Sequence, residues 1–178
     1  MVEFLNNHFE EFGEHEELFI VSDGICKNNS KKYLNFDKFI ESLFKKNYFK
    51  GDTFSSPDTV LINLEKKHLI FIEFKNMSSF DNEKEIKDWW KYKNSNVYLK
   101  MTDSILGLSH YLNQNHNISY DKFMESKKSF IYVYKADTHK KKIHRHLANK
   151  LNRYNFLFEN VKSIETQTFE YFLVEEGL

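Results

Sequence analysis

The sequence predicts an α/β fold, a mixed central sheet of about four to six strands with helices on both sides. Three features point there. Short apolar runs at 60–64 and 68–72, rich in β-branched and aromatic residues, are separated only by a charged turn, the pattern of a β-hairpin. A third such run, Phe130-Ile131-Tyr132-Val133-Tyr134, follows two stretches of helical periodicity. A strand reached by a helical crossover is expected to lie parallel to a hairpin strand. With 178 residues, the chain suits one domain with a substantial core.

In chain order, residues 2–12 suit a short helix with Phe4, Leu5, Phe9 and Phe12 inward. An acidic stretch follows, then a strand at 18–21 ending in the turn Ser22-Asp23-Gly24, and a polar loop at 27–33. Asn35 is placed to cap a helix over 36–47, where Phe36, Phe39, Ile40, Leu43 and Phe44 form an apolar stripe. After the hairpin, a loop at 76–82 leads to a helix at 83–93 with Ile86, Trp89 and Trp90 partly inward. A further helix spans 97–113, because Val97, Met101, Ile105, Leu108 and Leu112 step by four and three. Gly107 in that helix suits close packing or a kink. Beyond the strand at 130–134, residues 139–152 read as an amphipathic helix, with closing strands at 154–158 and 169–174.

The hairpin brings charges together at one end. Its first strand opens on Pro57-Asp58, and its second, apolar on both faces and therefore expected to be central, closes on Glu73-Phe74-Lys75. A two-residue loop at Lys66-Lys67, or a four-residue loop at 65–68, pairs Leu64 with Leu69 and Asp58 with Lys75. Asp58, Val60, Ile62 and Leu64 then share a face with Leu69, Phe71, Glu73 and Lys75. On that reading Asp58, Glu73 and Lys75 meet. A three-residue loop would turn Asp58 to the opposite face.

An acid preceded by proline at the start of one strand, followed by acid-x-Lys closing the next, resembles the PD-(D/E)XK nuclease superfamily. The resemblance is close over the hairpin and loose over residues 36–135. It implies a restriction-endonuclease-like fold and a metal-dependent nuclease using Asp58, Glu73 and Lys75. Asp58 and Glu73, with the Phe74 carbonyl, would hold Mg²⁺ or Mn²⁺, hard cations that take oxygen ligands. Lys75 would orient water or stabilise the transition state. The helix before the motif is expected to supply a further carboxylate, best Glu41, with Asp52 as a weaker rival. Some relatives of this kind use an upstream histidine, but His8 and His15 read as surface residues. A helical Gln and Tyr pairing found in one exonuclease branch has no convincing counterpart here.

Composition bounds the partners. Lys plus Arg equals Asp plus Glu at 26 each, so no global basic field announces nucleic acid. The basic stretch 139–153 is the exception: Lys140, Lys141, Lys142, Arg145 and Lys150 are the expected phosphate contacts, with DNA favoured over RNA. A domain of this size leaves recognition to be shared with a homodimer partner or a larger protein complex. The single Cys26 excludes an internal disulfide and reads as a small buried residue. No signal peptide and no run of ~18 apolar residues is present, so a cytoplasmic protein without membrane contact is expected. Two other readings stand beside the nuclease. One is a non-catalytic nuclease-like subunit that binds nucleic acid or a protein partner. The other is a small cytosolic interaction protein, such as a toxin-neutralising partner.

Overall fold

The computed structural model describes residues 1–27, 31–46, 48, 54–78, 80–92, 94–137, 142, 146 and 149–178. They form an α/β structure around a four-stranded mixed sheet in the order β3-β4-β5-β6. Its strands are β3 (Thr59–Asn63), β4 (His68–Asn76), β5 (Lys127–Lys135) and β6 (Asn160–Glu165). β3 runs antiparallel to β4, while β4-β5 and β5-β6 are parallel. The expected central strand is β4: Leu69 and Phe71 are buried on one face, and Ile70, Ile72 and Phe74 on the other.

The larger core packs the first face against α1 (Val2–Phe12), α3 (Phe36–Lys45), α4 (Glu83–Tyr92), α5 (Asn94–His116) and α6 (Tyr120–Met124). Asn35 caps α3 as its side chain suggests, its Oδ1 accepting from the Lys38 N–H at 3.0 Å. The five apolar positions read along α5 are all buried. Gly107 of α5 faces the Phe54 ring, where a Cβ would stand 2.3 Å from a ring carbon, so close packing is the reason for the glycine. The smaller core, on the other face, is closed by α2 (Leu18–Val21) and α7 (Thr166–Glu176).

Several elements differ from the sequence reading, β6 and α6 among them as ones it did not foresee. Residues 18–21 form the helical turn α2, because only Leu18 and Val21, three apart, find the core; Phe19 and Ile20 are exposed. The strand nearby is β1 (His15–Glu17), pairing antiparallel with β2 (Lys32–Leu34), part of which was expected to be loop. The expected strand at 154–158 is instead the end of a 3-10 segment (Asn149–Tyr154) and a turn. The expected strand at 169–174 lies in α7, where Phe169 and Leu173 are buried four apart and Tyr171 and Val174 face solvent. Most of the expected helix 139–152, with Lys140, Lys141 and Arg145, lies outside the described residues.

The hairpin register differs by two positions. Asn63 pairs with His68 and Thr59 with Ile72, so the loop is 64–67. Asn63 is the cause. Its Oδ1 accepts from the Lys66 N–H at 2.9 Å, closing the turn early, and Lys67 takes φ +50° to complete it. Its Nδ2 donates to the Glu176 carbonyl at 2.7 Å, tying the turn to the end of α7. A shift of two keeps every side chain on its expected face but sets Asp58 level with Glu73 instead of Lys75. Replacing Asn63 by Ala removes both bonds, and the expected loss in urea unfolding is about 1–2 kcal/mol; an unchanged midpoint would show that the turn sets its own register.

A candidate active site of three carboxylates and one lysine

Four local devices assemble charges at the carboxyl end of β4. Glu73 follows the buried run of the strand on the larger-core face and is only 6% exposed. Asp58 continues the ladder with its side chain: its Oδ2 accepts from the Phe74 N–H at 2.6 Å, just past the last β3 pair. The Phe36 N–H donates to the Asp58 carbonyl at 3.0 Å, docking the first turn of α3 beside the strand. That turn carries Asp37, which accepts from Ser56 Oγ. Finally α5 delivers Lys100, whose Nζ lies 2.8 Å from Glu73 Oε2 and 3.6 Å from Asp58 Oδ1.

The predicted site residues divide. Asp58 and Glu73 are brought together as expected, and the Phe74 backbone lies between them in the network while its ring packs against Phe169 in the smaller core. Lys75 does not join them. It points along the same face but stands over Trp89, with Nζ 5.4 Å from the ring centre, in a cation–π contact. Glu41 is exposed and sits 3.8 Å from Lys45, one helical turn away from the cluster. It lines the mouth of a cavity of about 260 Å³ whose walls include Asp37, Phe54, Ser56 and Lys100. Asp52 lies outside the described residues. Lys142 and Lys150 are exposed.

His8 corrects the surface reading. It is buried, with Nε2 2.8 Å from the Tyr111 hydroxyl, which His116 Nε2 also approaches at 3.1 Å. Desolvation, then His116 and Lys46, pushes its pKa down to about 4, so it is a neutral core residue. His15 is partly buried against the Gly13 carbonyl. Cys26 is buried as expected, and burial pushes its thiol up to about 11.

Asp37, Ser56 and Lys100 were missed. The signal for Lys100 was present, since it falls three residues after Val97 and four before Ser104, on the apolar stripe of α5. Asp37 was overlooked because Glu41 occupies the same side of α3 one turn later.

The electrostatics are those of unsatisfied negative charge. Burial, then Asp58, pushes Glu73 up to about 8 against the pull of Lys100. Burial likewise raises Asp58 to about 6 and lifts Asp37 above the usual carboxylate range. Burial alone would lower Lys100, but Glu73, Asp58 and Asp37 hold its pKa above the ordinary lysine value. With all four ionised, three carboxylates and one ammonium leave an excess of two negative charges. Oxygen donors with that excess suit a hard divalent cation, and Mg²⁺ in particular is held by one or two carboxylates with several waters. Among the described residues no three His, Cys, Asp or Glu side chains converge at metal-holding distances. Asp58 and Glu73, which share Lys100, are the two carboxylates placed closest together for such an ion.

No protein-family model, curated protein or solved structure matches this chain. Among the described residues, no helix is long and apolar enough to cross a membrane.

In the folded protein Glu73 and Asp58 keep protons to higher pH than in the unfolded chain, where they titrate near 4.5 and 3.8. Between about pH 4.5 and 8 these two groups bind more protons in the native state, so their contribution to stability falls as pH rises. In EDTA, Glu73→Gln is expected to melt above wild type at pH 8, by about 1–2 kcal/mol, with the gap closing towards pH 5. Equal or lower stability at pH 8 would mean that the Glu73–Lys100 pair outweighs the burial of the charge.

Proposed function

We propose that the protein is a metal-dependent phosphodiesterase acting on nucleic acid, with its reaction centre at Asp58 and Glu73. The observation that supports this best is the pair of carboxylates held level at the end of a central hairpin, Glu73 buried and Asp58 part-buried, with a lysine ammonium against both. Buried like charges oppose folding unless paired, and their retention here is accounted for by a cationic ligand.

Asp58 is oriented by the Phe74 N–H, which fixes one carboxylate oxygen and leaves the other facing Glu73 and Lys100. Glu73 is oriented by strand β4 and shielded from water. Bound Mg²⁺ or Mn²⁺ would acidify a coordinated water and offset charge growing on the attacked phosphate. Asp37, anchored by Ser56, lines the adjoining cavity of about 260 Å³, where the phosphodiester would sit. Lys75 and Trp89, on the same face beyond Glu73, present a cation and an aromatic surface to a nucleotide. Exposed Lys142 and Lys150 add positive charge for the backbone. DNA is the favoured substrate over RNA, and recognition beyond this site is shared with a second copy or a larger complex.

Purified protein incubated with single- and double-stranded DNA and with RNA is expected to cut in Mg²⁺ or Mn²⁺ and not in EDTA. Asp58→Asn and Glu73→Gln should each reduce cutting by ~10³-fold or more while remaining folded. Cutting that persists in both variants, or that ignores EDTA, would remove the reading. Nucleic-acid binding with no cutting in any metal would favour the non-catalytic nuclease-like subunit.

A further inference from the structure

The motif resemblance places the lysine of the chemistry at Lys75, yet the structure holds a different lysine at the carboxylates. Lys100 Nζ contacts Glu73 Oε2 at 2.8 Å and approaches Asp58 Oδ1 at 3.6 Å. It stands between the two groups that a divalent cation would bridge. Lys75, two residues past Glu73 and so about 7 Å along the strand, is engaged with Trp89.

A purely structural ion pair does not explain the arrangement well. Buried salt bridges contribute little net stability, since desolvation offsets most of the attraction. One ammonium also fails to balance three carboxylates. Lys100 is, however, built to move. Its charge sits on a flexible four-carbon stem, its side chain is 22% exposed, and it lines the cavity of about 260 Å³ shared with Asp37 and Ser56. Among the described residues, Nζ pairs with the carboxylates of Glu73 and Asp58 and with no backbone carbonyl.

From this geometry we infer that Lys100 is the exchangeable cation of the site: it neutralises Asp58 and Glu73 until a divalent metal takes its place, then turns into the cavity to contact the substrate phosphate. The inference rests on the phosphodiesterase reading for its second half, since the phosphate contact needs that substrate. Its first half, competition between ammonium and metal, stands on the ion pair. Lys100 would hydrogen-bond a non-bridging phosphate oxygen and remain protonated, with no bond made or broken at nitrogen. Lys75 then serves as a substrate contact outside the metal site.

The test separates the halves. Mn²⁺ binding is titrated at pH 7.5 by calorimetry or by electron paramagnetic resonance of free Mn²⁺, for wild type, Lys100→Met, Lys100→Arg, Lys75→Met and Asp58→Asn, each checked for folding by circular dichroism. Competition predicts that Lys100→Met binds Mn²⁺ at least tenfold more tightly than wild type, with Lys100→Arg and Lys75→Met close to wild type and Asp58→Asn weaker. Cutting by Lys100→Met should nonetheless fall at least a hundredfold at saturating Mn²⁺, and more than in Lys75→Met. Equal or weaker Mn²⁺ binding by folded Lys100→Met overturns the exchange, as does absence of binding in every variant. Should Lys100→Met not fold, tighter Mn²⁺ binding by Lys100→Gln supports the exchange, and unchanged or weaker binding overturns it. Asp58-dependent Mn²⁺ binding without cutting of any substrate refutes the phosphodiesterase reading and the phosphate contact while leaving the competition to be judged by affinity.

Discussion

Everything at the open end of the hairpin depends on where the chain turns at its closed end. Asn63 fixes that point with one side chain, accepting from Lys66 and donating to the end of α7. Because successive residues of a strand face opposite ways, a slip of one would carry Asp58 to the smaller-core face and leave Glu73 alone. A slip of two would keep the face but change the partner. The turn residue and the carboxylates lie at opposite ends of β3, so register is transmitted along a short ladder of apolar pairs that has no chemistry of its own.

At the carboxyl end, folding and chemistry pull in different directions. Water is largely kept from Glu73 and partly from Asp58, and that burial raises the cost of each negative charge left there. The same exclusion strengthens the hold of those charges on any cation that enters. Lys100 moderates the conflict without removing it, and the raised carboxylates record what remains. A site tuned only for stability would place an apolar residue at position 73, continuing Leu69 and Phe71.

The sequence made the frame legible where periodicity was long or bounded by turn residues. α3, α5, the hairpin and the parallel strand β5 were all readable because their apolar spacing matches burial almost residue by residue. The short elements were not. Leu18 to Val21 and Phe169 to Val174 are rich in strand-forming residues, and only tertiary placement, with burial at every third or fourth position, decides for helix. The same holds for the site. Asp58 and Glu73 were legible from strand position, but Lys75 was given its role by resemblance to a motif, and a motif on one hairpin says nothing about a lysine arriving from a helix. A charge inside an apolar helical stripe was the overlooked sign.

The crossover from β4 to β5 has a consequence for how the molecule comes together. Asp58 and Glu73 belong to a local hairpin, whose pairing closes a four-residue loop and can form early. Lys100 arrives only when α5, 27 residues after Glu73, docks across the sheet. Until then the hairpin presents two facing carboxylates at the tip of an otherwise greasy ribbon, a feature that repels other copies of itself and discourages edge-to-edge stacking of the nascent chain. The same acids would thus also guard the nascent ribbon against aggregation, and the docking of α5 relieves the charge only once the ribbon's apolar face is covered.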